Sequence, residues 1–348
     1  MSSAVNAVVE VPGAPVIPGL RYRRYSGPGD LPEMVRVSVA ARFADQVERA
    51  TSVEAMTVMY EHASRFDPAR DVILAEVDDR LVAYAQVEWE DVTAGGRTYD
   101  SSCVIHPDWR RRGLGRPMLR YNEARLREIA AAQGYEGPRW LGTWTADGNA
   151  GARALYEQEG YQKVRTFFHM LRPTLDDIPE PAHPAGLEMR PAEPAHDAAV
   201  WAADVEAFRD HFGGVDDSEE SFRSFIEDPR ADRSLWIIAW DGPEIAGLVI
   251  NMIDPMENDL YGYRRGWLDS VAVRRPWRRR GLARALILES LRLLRERGMT
   301  SASLGVDAEN PNEALHLYTS TGFRVHRSSA VYRKPWDPIV GPEWRPGD

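Results

Sequence analysis

The chain has 348 residues, too many for one small core and the length of two domains. With 43% hydrophobic and 28% charged residues it has the composition of a folded globular protein, and no apolar run reaches the ~20 residues that cross a bilayer. A net charge of −10 argues against general affinity for nucleic acid and favours cationic partners. Its one cysteine, Cys103, excludes an intrachain disulfide and fits a reducing cytoplasm.

The first 18 residues, MSSAVNAVVEVPGAPVIP, lack the basic segment of a signal peptide and are expected to form a disordered leader. Residues 19–171 read as one domain. A short strand around Leu20 to Tyr25 leads into a helical region, and VILAEV and LVAYAQVEW follow as antiparallel strands across the hairpin-like turn DDR. A further strand ends at Ile105, the turn HPDWRRRGLGR comes next, and a long helix follows. Residues 172–186, RPTLDDIPEPAHPAG, have the chemistry of a linker. Residues 187–335 repeat the order with LEMR, a helical region, the strands LWIIAW and EIAGLVINMI across DGP, a strand ending at Val273, and RRPWRRRGLAR before a second long helix. In that helix Leu282, Leu286 and Leu293, with Ile287, Leu291 and Leu294, make a broad apolar face opposite arginines. Residues 336–348 form a tail.

The repeat is domain-sized. Gly113 and Gly281 lie 168 positions apart, and Tyr156 and Tyr318, in NAGARALYEQEGY and PNEALHLYTSTGF, lie 162 apart. Strands alternating with helices around a mixed sheet place the fold in the α/β or α+β class.

The arginine-glycine turn carries chemistry. A strand that stops, turns through glycine and enters a helix leaves unpaired amides at a helix N-terminus, and the helix dipole makes them an anion site. Gly113 and Gly281 remove a Cβ that would block close approach, while Gly115 and Ala283 keep the next turn small. The arginines Arg110, Arg111, Arg112, Arg278, Arg279 and Arg280 can add charge-assisted bonds to phosphate. A single basic triplet is also consistent with a solvated corner; the strand before, the helix after and the recurrence favour the anion site. No Walker-type lysine follows, and no dinucleotide-binding glycine pattern with a later acidic residue is present.

RRRGLG followed by NAGARALYEQEGY, and RRRGLA followed by NPNEALHLYTSTGF with one extra residue between Asn310 and Tyr318, resemble the GNAT superfamily of acetyl-CoA-dependent N-acetyltransferases. The resemblance spans nearly the whole chain after the leader as two tandem copies, in an arrangement similar to that of the mycothiol synthases. It implies two GNAT-type domains, each a mixed, mostly antiparallel sheet flanked by helices, in which the fourth strand splays from the fifth. The pantetheine arm of acetyl-CoA would lie in that gap against the backbone of Val271, Ala272 and Val273, and of Cys103, Val104 and Ile105. The pyrophosphate would sit on the turns Arg278 to Arg284, with Leu282, Ala283 and Arg284, and Arg110 to Arg116, with Leu114, Gly115 and Arg116. Asn310 and Asn149 would bond the pantetheine or adenosine-diphosphate portion.

The same resemblance implies a tyrosine acid for the departing thiolate, at Tyr318 and Tyr156, with Tyr318 preferred. A helix tyrosine in this position also serves as core packing. Cys103 is expected to pack rather than to act as a nucleophile, because nothing near it in sequence would activate it. The base departs from the family pattern. Where some members carry glutamate, this chain has Trp267 and Tyr99. On an alternating strand Trp267, Asp269, Val271 and Val273 share one face, which makes Asp269 the candidate base; its counterpart is Ser101, while Asp100 points the other way. A water relay without a fixed base, or a salt-bridged Asp269, remains an alternative. The acceptor is expected to enter past the acidic, aromatic stretch from Asp204 to Asp228, where Asp210, His211 and Phe212, with Trp267, would line the site; a solvated acidic helix is the alternative there.

These observations favour transfer to a small amine-bearing acceptor, mainly in the second domain. An acyl-CoA-binding module without catalysis stays open as a different class. Nucleic acid, a membrane and a metal are not expected, the first because the RRPWRRR segment stands alone in an acidic chain.

Overall fold

The computed structural model describes residues 8–93, 95–209, 211–309 and 314–337. In chain order the first copy folds as β1 (Leu20–Arg24), α1 (Leu31–Ala44), α2 (Val53–Glu61), α3 (Pro68–Asp71), β2 (Val72–Val77), β3 (Arg80–Asp91), β4 (Arg97–Ile105), α4 (Gly115–Gln133), β5 (Arg139–Ala146), α5 (Ala150–Gln158) and β6 (Gln162–Arg172). The second copy gives β7 (Glu188–Arg190), α6 (Asp197–Phe208), α7 (Glu219–Glu227), β8 (Ile237–Asp241), β9 (Glu244–Met252), α8 (Pro255–Tyr261), β10 (Arg265–Val273), α9 (Leu282–Glu296), β11 (Ser301–Asp307), α10 (Ala314–Ser320) and β12 (Arg324–Pro335). Local chemistry sets several boundaries. Asp78 and Asp79 both take positive φ in the tight β2–β3 turn, a geometry short polar side chains tolerate. Ser52, Ser218 and Asp254 cap α2, α7 and α8 by accepting from the amides of Ala55, Ser221 and Glu257. Among the described residues, no helix is long and apolar enough to cross a membrane.

The chain forms two compact units, and they are not its two halves. The first comprises Met1–Arg165 with Ser329–Asp348, the second Thr166–Ser328. In the first unit the strands run β1-β2-β3-β4-β5-β12, with β4 and β5 parallel and the other neighbours antiparallel. Helices α1 and α2 pack one face through Met34, Val37, Met56 and Tyr60; α4 and α5 pack the other through Met118, Leu119, Leu126 and Tyr156. In the second unit the order is β7-β8-β9-β10-β11-β6, with β10 and β11 parallel. Val200, Ala203 and Ala207 of α6 cover one face, and Leu286, Leu291 and Leu294 of α9 cover the other. Burying each of those leucines contributes roughly 1.5–3 kcal/mol.

The last strand of each unit comes from the other copy. Phe167 to Arg172 of β6 pair with β11, and Ser329 to Pro335 of β12 pair with β5. The compact units therefore depart from the ranges 19–171 and 187–335. A repeat shows which strands are equivalent; it does not specify which copy's sheet edge each strand will join, because equivalent edges offer the same ladder.

The disordered leader is also corrected where it is described. The amide of Val9 donates to the carbonyl of Tyr22 at 2.8 Å, and Val11 is buried against Tyr22, Leu114 and Met118. Alternating apolar residues there find an apolar helix face, which a signal-peptide test does not measure. Of the expected tail, Trp336 is buried, its ring 4.8 Å from that of Tyr99. In the linker, Leu175 enters the core under α9.

Candidate active site

In both units the parallel strand pair opens into a gap. Strands β10 and β11 pair from Arg265/Ser301 to Leu268/Leu304, and β4 and β5 pair from Arg97/Arg139 to Asp100/Gly142; beyond those points the two strands part. Each gap leads to an arginine-glycine turn of the same shape. Arg279 and Arg111 have φ of 62° and 61°, and Gly281 and Gly113 have φ of 81° and 88°. A left-handed residue followed two positions later by a left-handed glycine swings the chain into the helix, so the first-turn amides of α9 and α4 face outward.

The first arginine of each triplet holds this turn from inside. Arg278 Nε donates to the Val273 carbonyl at 2.9 Å, and Arg110 Nε to that of Ile105 at 3.2 Å. Arg110 also grips Asp45 at 2.6 and 2.8 Å. Expected as phosphate ligands, these two arginines are placed instead as braces. Asn149 caps α5, accepting from Ala152 at 3.0 Å while its amide donates to Asp45 at 3.0 Å. Asn310 and Asp210 lie outside the described residues. A Cβ at Gly281 would meet nothing within 4 Å, whereas one at Gly113 would come 3.3 Å from Pro15. The second turn therefore has room for a diphosphate, and the first is partly covered.

On the α9 side the second gap is lined by the core. Val271 and Val273 pack against the core cluster that contains Leu304, Val306 and Tyr318. Burial raises the Tyr318 phenol to about 12, so it stays protonated at neutral pH. Burial does the same to Tyr156, also to about 12. The Cys103 thiol is likewise pushed to about 12 by burial, with its sulfur 4.0 Å from that of Met118, which suits packing and not attack.

The α6 side corrects the alternation read from the sequence. Strand β10 carries a β-bulge at Asp269: Leu268 opposes Asn251 on β9 and Ser270 opposes Ile250, with Asp269 the extra residue between them. Val271 and Val273 consequently turn toward α9, away from the face shared by Trp267, Asp269 and Ser270. In the first unit β4 has no bulge, so Ser101 faces α4, where Asn122 donates to it at 2.9 Å, and Asp100 faces the α1 side. Asp100, not Ser101, is thus the carboxylate that shares a face with Asp269. Burial, with Glu90 and Glu88 nearby, raises Asp100 to about 7.

Asp204 on α6 completes the polar rim and was not singled out by sequence reading. It accepts a hydrogen bond from Ser270 Oγ, and burial, opposed by that bond and reinforced by the charge of Asp269, raises it to about 6. Trp267 lies flat against His169 of β6, with ring centroids 4.7 Å apart and planes at 24°, and its indole N–H donates to Glu257 at 2.6 Å. Phe212 meets Phe167 of β6 edge-on at 6.3 Å, and His211 lies 4.3 Å from Phe208. The structure thus brings Trp267 and Phe212 to neighbouring residues of one strand. Phe167 and His169 were missed because β6 belongs in sequence to the first copy. Both copies also read Leu-Gly in the strand after the long helix, at Gly142 and Gly305, where the parallel pairing ends.

Comparison with known proteins then decides the family. The family model described as Acetyltransferase (GNAT) family matches residues 39–161 and again 200–323. The chain belongs to the GNAT acetyltransferase family. This GNAT protein is an acetyltransferase enzyme with two GNAT domains in tandem. It is 28% identical to a mycothiol acetyltransferase of Thermobispora bispora over 88% of this chain and 97% of that one. It is 32% identical to a mycothiol acetyltransferase of Thermomonospora curvata, over 75% of this chain and 82% of that one. Among solved structures, a GCN5-related N-acetyltransferase from Sphaerobacter thermophilus superposes with a TM-score of 0.67 at 27% identity, covering 92% of this chain and 97% of that chain. A tandem GNAT protein of the clavulanic acid biosynthesis pathway shares the fold, with a TM-score of 0.63 at 16% identity, over 92% and 99% of the two chains.

Proposed function

We propose that the GNAT protein transfers an acetyl group from acetyl-CoA to a small amine-bearing acceptor, and that the transfer takes place in its second unit. The observation that carries this reading is the gap between β10 and β11, which opens onto a helix N-terminus with free space at Gly281. Acetyl-CoA supplies a thioester whose carbonyl carbon the amine attacks, forming the C–N bond as the C–S bond breaks. The first-turn amides of α9 hold the diphosphate, and the backbone of Val271 to Val273 lies along the pantetheine arm. Asp269 and Asp204 attract the ammonium group and take its proton, directly or through water, and Tyr318 returns one to the departing thiolate from the opposite face. Burial, with the charge of Asp269 added to it, raises Asp204 to about 6, so it is ionised at neutral pH and can still take up a proton, as a base requires.

The relatives named mycothiol acetyltransferase support a small-molecule acceptor. Steady-state acetylation across a panel of small amines tests the reading: acetyl-CoA-dependent product with at least one amine is expected. Binding of acetyl-CoA without turnover of any of them would contradict it.

A further inference from the structure

The two faces of the sheet at the gap of the second unit differ in character. The α9 side is apolar: Leu304, Val306 and Tyr318 belong to the core there, and Val271 packs against it. On the opposite side the first residue of β11 past the last paired position is Gly305, exposed although it lies in the interior of a sheet, with nothing within 4 Å of where a Cβ would stand. An exposed central-strand glycine makes a depression at the level where the two strands part.

The cross-strand partner of Gly305 is His169, so the imidazole stands on the same face, beside that depression. Contacts from neighbouring strands orient the ring. Trp267 lies under it, Ser303 Oγ is 2.9 Å from Nε2, and His326 meets it edge-on at 5.4 Å. Trp267 is in turn fixed by Glu257. A half-buried imidazole positioned by supports on several strands is arranged as a recognition group is, with little freedom left to lose on binding.

We propose that His169, delivered by the exchanged strand β6, forms the wall of the acceptor seat above Gly305 and determines which amines the second unit acetylates. The inference rests on the reading of that unit as an amine acetyltransferase. The first copy of the sequence therefore contributes specificity to chemistry carried out in the second. Because the seat lies at the paired end of the gap, away from the diphosphate turn, its residues act on the acceptor and not on the donor's diphosphate.

The test compares wild type, His169→Ala and Gly305→Val on the full chain, measuring kcat and KM separately for the acceptor and for acetyl-CoA, with thermal unfolding as a control. Gly305→Val has room for its side chain and should unfold at the wild-type temperature. Both variants should raise the acceptor KM about tenfold or more while leaving the acetyl-CoA KM unchanged. His169→Ala should also change the rank order of amines in the panel. If wild type acetylates amines and both variants keep acceptor KM and rank order, the assignment of His169 fails alone. If wild type binds acetyl-CoA and acetylates no amine, the underlying reading fails and the inference with it.

Discussion

Tyr318 and Asp204 stand on opposite faces of one gap, and burial makes each hold its proton more tightly than it would in water. For the phenol this means a donor at every physiological pH. Tyr318→Phe keeps the ring against Phe323 and removes only the hydroxyl, so kcat should fall about a hundredfold or more with acetyl-CoA affinity unchanged. Tyr156→Phe should cost far less; equal losses in the two variants would assign transfer to both units. For Asp204 the shift falls in the working pH range and shows in stability. A carboxyl whose folded value, about 6, exceeds its unfolded value of roughly 4 stabilises the fold at low pH, and that contribution is lost as pH rises through about 6. Asp204→Asn should therefore raise the thermal midpoint at pH 7.5, by about 1–2 kcal/mol of stability, and change little at pH 4. A variant destabilised at pH 7.5 would show that the charge is well compensated. The buried helix positions of the tyrosines were legible because a motif carries them. Asp204 was not, since a helical carboxylate gains its character from the strand it faces, here from Ser270 and Asp269.

The elements divide in the same way. The turns were readable to the residue, because glycine takes the second of their two left-handed positions without strain and the adjacent helix announces itself by its leucines. The face of each β10 residue was not readable. Alternation assumes an unbroken ladder, and the bulge at Asp269 reverses it for Val271 and Val273 while bringing Asp269 and Ser270 to one side. Deleting Asp269 leaves Leu268 opposite Asn251 and Ser270 opposite Ile250 in a continuous ladder like that of β4. The shortened protein should fold and bind acetyl-CoA, and its kcat should drop about tenfold or more through loss of the Asp269 carboxylate. Undiminished turnover would remove Asp269 from the chemistry.

At the scale of the whole molecule, duplication was plain from the sequence and the exchange of strands was not. Two sheets with equivalent open edges can be completed by either copy's last strand, and periodicity is identical in both cases. The consequence is measurable. Ending the chain at Ser328 removes Ala330, Tyr332 and Trp336 from the core of the first unit and nothing from the second. Hydrogen exchange should then lose protection in β5 and retain it in β11, although the removed residues follow the second copy in sequence. Tyr332→Ala alone should destabilise the first unit by about 3 kcal/mol or more.

The assignment of acetyl transfer to the second unit is tested most directly by steady-state turnover of Gly281→Val beside Gly113→Val. Valine at φ of 81° is strained and fills the open space that the proposal gives to the diphosphate. Gly281→Val should abolish acetylation while Gly113→Val retains most of it; activity that survives the first substitution and disappears with the second would contradict the account.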